Sequence, residues 1–257
     1  MSHLLRAELK RSFTMLKRYP SEFLGMFLVI ILLFGVLFFG AGYMAGSPAL
    51  FGDRLDNLIV GYFIWSLAMF SSTSIASEIT SEGLVGTIEQ VFLSPFQVRT
   101  ILLIRSLSSL VINLGLSIVV MLILLLITGR TLSFQITILL PFATAILAIY
   151  GIAFAIGGLS MIVKKVYQIM PLLQFSLLIL IITPVEDWEG IGAILGYLLP
   201  ITPSIWLLRD ILVRGLSPNI TLAIACVVNG VLYYVVGLVL FSYTEKRARQ
   251  KGLIVGY

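Results

Sequence analysis

Three glutamates form the most distinctive charged cluster of the sequence. Glu78, Glu82 and Glu89 are spaced i, i+4 and i+11, so an unbroken helix would place them within about 40° on one face. Two intervening glycines weaken that helix. Clustered carboxylates repel one another, so the patch favours a cationic partner, which Arg99, the N-terminal segment or a second protein would supply. The alternative is a solvated acidic loop with no partner.

Residue types that carry catalysis are scarce in this sequence. The single histidine, His3, and the single cysteine, Cys226, exclude most zinc sites, histidine-based catalysis and an internal disulfide. The chain contains no Gly-x-x-x-x-Gly-Lys-Ser/Thr phosphate cradle. We therefore expect no enzyme activity, no metal and no cofactor in this chain. Its basic residues must stay at membrane edges, which also argues against nucleic acid as a partner.

A polar stripe lies within an otherwise apolar segment. Ser66, Thr73 and Ser77 are spaced i, i+7 and i+11, which places them on one side of a helix. Such a stripe is typical of close helix packing, and it would also suit the lining of a substrate pathway. Gln174 and Phe175, in a later apolar segment, are the further candidates for that pathway.

Composition identifies the class of protein. The 257 residues are 59% hydrophobic and only 11% charged, with a mean hydropathy of +1.08, whereas a soluble domain has roughly 25% charged residues. Seven uncharged windows are each long enough for the ~20 helical residues that cross a membrane. These windows are 23–52, 57–77, 106–129, 131–163, 166–185, 190–208 and 215–244.

The distribution of positive charge predicts the topology. Both ends of the sequence are basic, so the positive-inside rule places both in the cytoplasm and requires an even number of spans. The window 190–208 contains three glycines and two prolines, which would break a straight helix, so we expect it to dip in and return. With six spans, thirteen of the seventeen Lys and Arg residues are cytoplasmic. A seventh span would move the four C-terminal cations outside.

We therefore predict an all-α integral membrane protein of one domain, residues 1–257, with six transmembrane helices and a location in the plasma or inner membrane. The expected segments are an interface helix (1–21), spans at 23–45 and 57–77, a cytoplasmic loop (78–100), spans at 106–128, 136–163 and 166–185, a re-entrant outer hairpin (190–214), a sixth span (219–243) and a cytoplasmic tail (244–257).

The first segment has the pattern of an amphipathic helix. Leu5, Leu9, Phe13 and Leu16 recur at helical spacing, and cations occupy an adjoining face. This pattern is typical of a helix that lies in the membrane interface with its cations near lipid phosphates, until Pro20 turns the chain into the membrane. The segment is either a surface anchor only or an anchor that also contacts a cytoplasmic partner.

The predicted outer hairpin is bracketed by charged residues. Because charges are costly in hydrocarbon, about 2.5–3.5 kcal/mol each, we expect these residues to stay at the outer interface. The hairpin would act as an external gate, with Pro200, Pro203 and Arg209 as its candidate residues, or it would only plug the top of the bundle. The flanking charges are Glu186, Asp187 and Glu189 before the hairpin and Arg209, Asp210 and Arg214 after its turn.

Two segments resemble a known family. The run Glu82-Gly-Leu-Val-Gly-Thr-Ile-Glu-Gln-Val-Phe-Leu-Ser-Pro95 resembles the cytoplasmic loop of the type-2 ATP-binding-cassette (ABC) transporter permease family, with its acid, Gly-Thr-apolar-Glu and Ser/Thr-Pro. Leu199-Pro-Ile-Thr-Pro203, followed by Arg209, is similar to the segment before the family's last helix. These two segments are specific, and elsewhere the resemblance is one of hydrophobic pattern.

The resemblance implies a permease subunit that forms a translocation pathway as a dimer, with a second copy of itself or with a sister permease. Two copies of a separate ABC ATPase subunit would bind ATP and Mg²⁺ and drive it, with membrane lipid as the surroundings. A coupling helix in the loop after the second span would contact the ATPase. The residues carried over to that contact are Glu78, Glu82, Gly86, Thr87, Glu89 and Pro95.

The expected cargo is an amphipathic drug, antibiotic or lipid-like molecule. Relatives that export polysaccharide tend to have Leu-Gly and then an aromatic-Pro pair entering the first span. This sequence has Lys17-Arg18-Tyr19 and Leu24-Gly25, but no Trp or Pro follows within that span. Export of a polysaccharide or lipid-linked glycan by the same family is the first alternative. An ion-coupled secondary transporter is the second, although such carriers usually keep ionisable groups at the midplane and none falls inside the six predicted spans.

Labelling of introduced cysteines tests the predicted topology. We expect labels at positions 92 and 248 to be accessible from the cytoplasm and a label at position 130 to be accessible from outside, because an even number of spans returns the chain to the side on which it starts. An external label at position 248 would instead support the seventh span.

Overall fold

The computed structural model describes residues 2–45, 52–85, 98–132, 135–163 and 166–250. These residues form helices joined by short connections, with no β-strand among them. The α-helices are α1 (Ser2–Arg18), α2 (Pro20–Ala45), α3 (Gly52–Ser72), α4 (Ser74–Val85), α5 (Val98–Thr128), α6 (Leu139–Ser160), α7 (Met170–Ile182), α8 (Ile191–Leu198), α9 (Thr202–Leu212) and α10 (Ile220–Gln250). Short 3₁₀ turns cover Ile136–Ile138, Val166–Gln168 and Val185–Asp187.

Among the described residues, four helical segments are long and apolar enough to cross a membrane. A fifth is added if α8 and α9, which meet at 96°, count as one broken span. The expected spans at 23–45 and 166–185 contain shorter apolar helices, Phe27–Gly40 and Met170–Ile182. The chain is therefore a multi-pass membrane protein. The four segments are Leu55–Thr80, Leu103–Thr128, Ile136–Ser160 and Ile220–Gln250.

Helix α3 lies at the centre of the bundle and contacts α2, α5, α6, α7 and α9. Its apolar stretch is 78% buried, whereas those of α5 and α10 are only 28% buried. Ile59, Ile64 and Leu67 are fully buried there. The other helices leave broad apolar faces on the outside of the chain, which is the arrangement expected where the surroundings are hydrocarbon or a second protein rather than water.

Helices α6 and α10 run parallel and make the closest helix contact in the described part of the chain. A Cβ at Gly237 would overlap the backbone of Gly151, and one at Gly230 would overlap the backbone of Thr144. Glycine is required at these positions because only its missing side chain lets two backbones approach so closely. Gly151 and Gly158 of α6 both lie against the backbone of α10.

The helices extend further than the expected segments at several points. Residues 78–85 continue as helix α4 after a break at Thr73, and α5 already begins at Val98, so much of the expected loop is helical. Helix α10 continues to Gln250, past the expected end of its span. Ala248 is fully buried, so an introduced cysteine for topology labelling is better placed at the exposed Gln250.

The α6–α10 contact predicts a large difference between two identical substitutions. Gly237→Ala should lower the free energy of unfolding in mixed micelles by about 1–3 kcal/mol, because the added methyl group pushes two backbones apart. Gly115→Ala, on an open face of α5 with no atom within 4 Å of the new methyl group, should leave stability unchanged or raise it by about 0.5–1 kcal/mol. Equal effects of the two changes would contradict the close contact.

Candidate functional site

A charged cluster joins three helices beside the segment 86–97. Arg105 of α5 donates to Glu8 of α1 at 3.2 Å and to Glu78 of α4 at 3.3 Å. All three side chains are largely shielded, with exposed fractions of 14%, 16% and 25%. Arg105 is thus a cationic partner of Glu78 that the sequence did not indicate. The partners that the sequence suggested were Arg99, the N-terminal segment or a second protein. The N-terminal helix contributes an acid to this cluster.

This cluster anchors the amphipathic helix α1 to the bundle. Helix α1 packs along the first part of α5, and it ends at Arg18 so that Pro20 can start α2. Phe13, Lys17 and Arg18 are exposed on its outer side. The helix therefore has one face held by the protein and another that remains available to lipid or to a partner.

The remaining predicted coupling residues are only partly described. Glu82 lies in helix α4, but its side chain is outside the described positions. Gly86, Thr87, Glu89 and Pro95 all lie outside the described residues. The described structure therefore ends where the predicted contact with an ATPase begins.

The predicted polar stripe is satisfied within its own helices. Ser66 is fully buried, and its hydroxyl donates to the carbonyl of Phe63 at 2.8 Å. Thr73 donates to Met69, and Ser77 donates to Ser74. These local bonds leave the stripe suited to close packing, which is the first of the two interpretations that the spacing allowed.

Gln174 and Phe175 occupy different environments on α7. The backbone carbonyl of Gln174 accepts a hydrogen bond from Trp65 Nε1 at 2.9 Å, which ties α7 to α3. Phe175 is 53% exposed, on the outer surface of the chain. Within one chain the structure does not bring the five predicted pathway residues around a common space, so a pathway through them would need a second protomer.

Helices α8 and α9 lie within the predicted re-entrant hairpin and meet at 96°, an angle that fits either a re-entrant hairpin or one broken span. Two side chains of α10 hold the turn between them. Asn229 of α10 donates to the carbonyls of Tyr197 and Leu199 at 2.9 and 3.0 Å and accepts from the amide of Ile201 at 3.3 Å. The Tyr233 hydroxyl donates to Leu198. The turn's peptide groups therefore have partners although the helical pattern is interrupted.

The turn includes an unusual backbone conformation. Ile201 has φ 69° and ψ −21°, in the left-handed region that β-branched residues avoid. Such a residue costs of order 1–3 kcal/mol and persists only where its surroundings hold it. The Ile201 side chain is fully buried and Asn229 accepts its amide, while Pro203 fits the first turn of α9. Pro200 lies at the turn itself.

Arg209 is buried inside the protein, with an exposed fraction of 2%. The expectation that it lies at the outer interface concerns its depth in the membrane and stays a prediction. Its Nη1 donates to both carboxylate oxygens of Glu186 at 3.1 and 3.0 Å, and its Nη2 donates to the carbonyl of Ile181 at 2.8 Å. Arg214 lies beside the same carboxylate at 3.7 Å and pairs with Asp210 at 2.7 Å. Burial is tolerable because the charge is paired and hydrogen-bonded.

The charged residues thus fall into two groups at opposite ends of the bundle. The hairpin end is where α3 begins, α7 ends and the hairpin turns back, and it also holds the pair of Arg130 and Asp56. The other end holds the Arg105 cluster. Sequence spacing could not have revealed the partners of Arg105 or Arg209, because they lie 23–97 positions away along the chain.

Comparison with known proteins provides no assignment. No family model matches the chain, and no curated protein matches it.

The buried ion pair predicts a strongly asymmetric pattern of substitutions. Arg209→Met should lower stability by about 3–5 kcal/mol, because it leaves Glu186 buried without its partner, and the double change with Glu186→Leu should restore most of the loss. The free energy of unfolding measures both.

A surface pair provides the control for that experiment. Arg249 and Glu245 are paired at 2.8 Å, but the Arg249 side chain is 48% exposed. Arg249→Met should therefore cost no more than about 0.5 kcal/mol. A double variant no more stable than Arg209→Met would show that the pair does not behave as a unit.

Proposed function

We propose that this chain is the permease subunit of an ABC exporter, which forms a translocation pathway as a dimer and is driven by a separate ATPase. The proposed cargo is an amphipathic drug, antibiotic or lipid-like molecule. The first basis is the resemblance of the segments 82–95 and 199–209 to the type-2 ABC permease family. The multi-pass helical bundle and the lack of a phosphate-cradle motif in the sequence are consistent with it.

One observation supports this proposal above the others. The Arg105 cluster connects α1, α4 and α5 at the end of the bundle from which the segment 86–97 departs. A force applied to that segment would act on α4 through the backbone, and on α1 and α5 through these ion pairs. Rigid helices joined in this way can transmit motion from an attached motor to the far end of the bundle.

The helix directions fit the six-span arrangement that belongs to this proposal. Contacts between Gly61 and Ile181, and between Trp65 and Gln174, make α3 and α7 antiparallel. In the proposed arrangement α2, the pair α3–α4, α5, α6, α7 and α10 each cross once, and the hairpin returns to the outer side. The Arg105 cluster is then cytoplasmic and the Arg209 cluster is external, in the plasma or inner membrane.

The exposed apolar surface fits an apolar cargo and a second protomer. Phe175 of α7 and apolar side chains of α2 such as Leu32 and Val36 are exposed on the single chain, so pairing of two chains would cover surfaces of this kind. Apolar walls suit an amphiphile better than a glycan. This is the reason for preferring an amphiphile to the polysaccharide alternative.

An ion-coupled carrier is the second candidate, because the broken hairpin and the buried Arg209–Glu186 pair are features that such carriers use. Both oxygens of Glu186 accept hydrogen bonds from Arg209, however, and the carboxylate is therefore occupied when it would need to bind an ion. Transport that is driven by an ion gradient in vesicles without any ATPase would support this second candidate.

Copurification and ATP hydrolysis test the proposal. We expect an ATPase subunit carrying the phosphate cradle to copurify with the full chain from its native membrane, and a candidate cargo to stimulate its hydrolysis in the reconstituted complex. Glu89→Lys or Glu82→Lys should dissociate or uncouple the ATPase. Arg105→Met should preserve the complex but reduce cargo-stimulated hydrolysis at least fivefold, because α1 is released from α4.

Arg249→Met is the matched control, since it also removes an arginine from an ion pair, but from a pair within α10 whose arginine is 48% exposed. It should leave stimulated hydrolysis unchanged. Hydrolysis of ATP by the purified chain alone would overturn the proposal, and so would normal coupling in both glutamate variants.

A further inference from the structure

A cavity of about 330 Å³ opens at the hairpin end of the bundle, between the beginning of α3, the end of α7 and the end of α9. Its volume lies at the lower end of the range for small-molecule sites, about 300–1,000 Å³. Three apolar residues, Leu58, Ile182 and Pro184, line it together with four charged side chains and one amide. Such a mixed lining suits a ligand that has both a polar and an apolar part.

Two buried polar atoms of the lining residues have no hydrogen-bond partner among the described residues. The Nε of Arg209 is one of them, although both of its terminal nitrogens are bonded and the side chain is only 2% exposed. The Oδ1 of Asn57 is the other. Buried polar groups are normally paired, so these two predict a ligand that offers an acceptor to Arg209 and a donor to Asn57.

The charged residues of the lining indicate the charge of the ligand group that would donate to Asn57. Arg209 and Arg214 are both paired with Glu186, and Arg214 also pairs with Asp210. Asp187 lines the cavity, is exposed, and takes part in no ion pair within the described part of the chain. The charge of Asp187 also acts on Arg209, so three carboxylates, those of Glu186, Asp187 and Asp210, lie near two cations. This excess of negative charge favours a cationic group and disfavours a simple anion.

We infer that this cavity is a binding site for the polar end of an amphiphile that carries a protonated amine beside an oxygen acceptor. The amine pairs with Asp187 and donates to Asn57, the oxygen accepts from Arg209 Nε, and the apolar part lies along Leu58 and Ile182. Membrane phosphatidylethanolamine has this chemistry, and so does an amine-bearing cargo. The site stands independently of the ATPase, since it is complete within one chain.

Native mass spectrometry of the full chain in detergent tests the site with two lipids of equal acyl chains. We expect phosphatidylethanolamine to bind about tenfold more tightly than phosphatidylglycerol, which has the phosphate but no amine. Asp187→Asn should remove this preference. Glu189→Gln, a matched loss of an exposed carboxylate from the same loop but outside the cavity lining, should preserve it.

A second variant separates binding from folding. Asn57→Leu removes the unpartnered acceptor, so the thermal midpoint of the lipid-free chain should rise or stay unchanged while phosphatidylethanolamine binding weakens about fivefold. Loss of binding together with loss of stability would contradict the assignment of Asn57 to the ligand.

N-dodecylethanolamine, which carries a protonated amine beside a hydroxyl oxygen and is not a membrane lipid, distinguishes the two sources of the ligand. If it binds with the same dependence on Asp187 while phosphatidylethanolamine shows no preference, the ligand is a carried compound rather than a membrane lipid. The inference is overturned if neither amine depends on Asp187, if phosphatidylglycerol binds as tightly as phosphatidylethanolamine and N-dodecylethanolamine does not bind, or if Glu189→Gln has the same effect as Asp187→Asn.

Discussion

The hairpin end of the bundle depends on one requirement: the backbone groups in the sharp turn between α8 and α9 must have hydrogen-bond partners. A chain that bends by 96° within an apolar bundle interrupts its helical hydrogen bonds, and hydrocarbon supplies no water to replace them. Asn229 supplies two donors and one acceptor to the turn, and Tyr233 supplies a third donor. With its polar groups satisfied, the turn can tolerate the left-handed Ile201.

The position of α9 then fixes the charged groups around it. Because α9 returns from the turn toward the end of α7, it brings Arg209 against both Glu186 and the carbonyl of Ile181. The pair is expensive to desolvate, so it is weak evidence for stability by itself, but removal of either partner would leave an uncompensated charge. The charged groups of the hairpin are thus held in one buried network, while its role as an external gate or as a plug stays a prediction.

The Arg105 cluster joins helices through ion pairs at the opposite end of the bundle. Each of its ion pairs should contribute less to stability than the pair of Arg209 and Glu186 loses on removal of one partner, because its side chains are less deeply buried. It holds the amphipathic helix α1 to α4 and α5, while the outer face of α1 stays open to the membrane surface. Between the two clusters lie the packed core around α3 and the close contact of α6 with α10. A displacement at one end therefore meets a rigid bundle before it reaches the hairpin, which is the mechanical property that the proposed pump needs.

The sequence by itself determined the membrane character, the helical class, the amphipathic first helix and the broken hairpin, because hydropathy, charge placement and Gly/Pro content act locally along the chain. Only the tertiary structure decided which groups meet: Arg105 with Glu8 and Glu78, Arg209 with Glu186, and Asn229 with the hairpin turn. Burial of Arg209 was missed because a charge is excluded from hydrocarbon only while it lacks a partner, and partners distant in sequence become neighbours only when the helices pack.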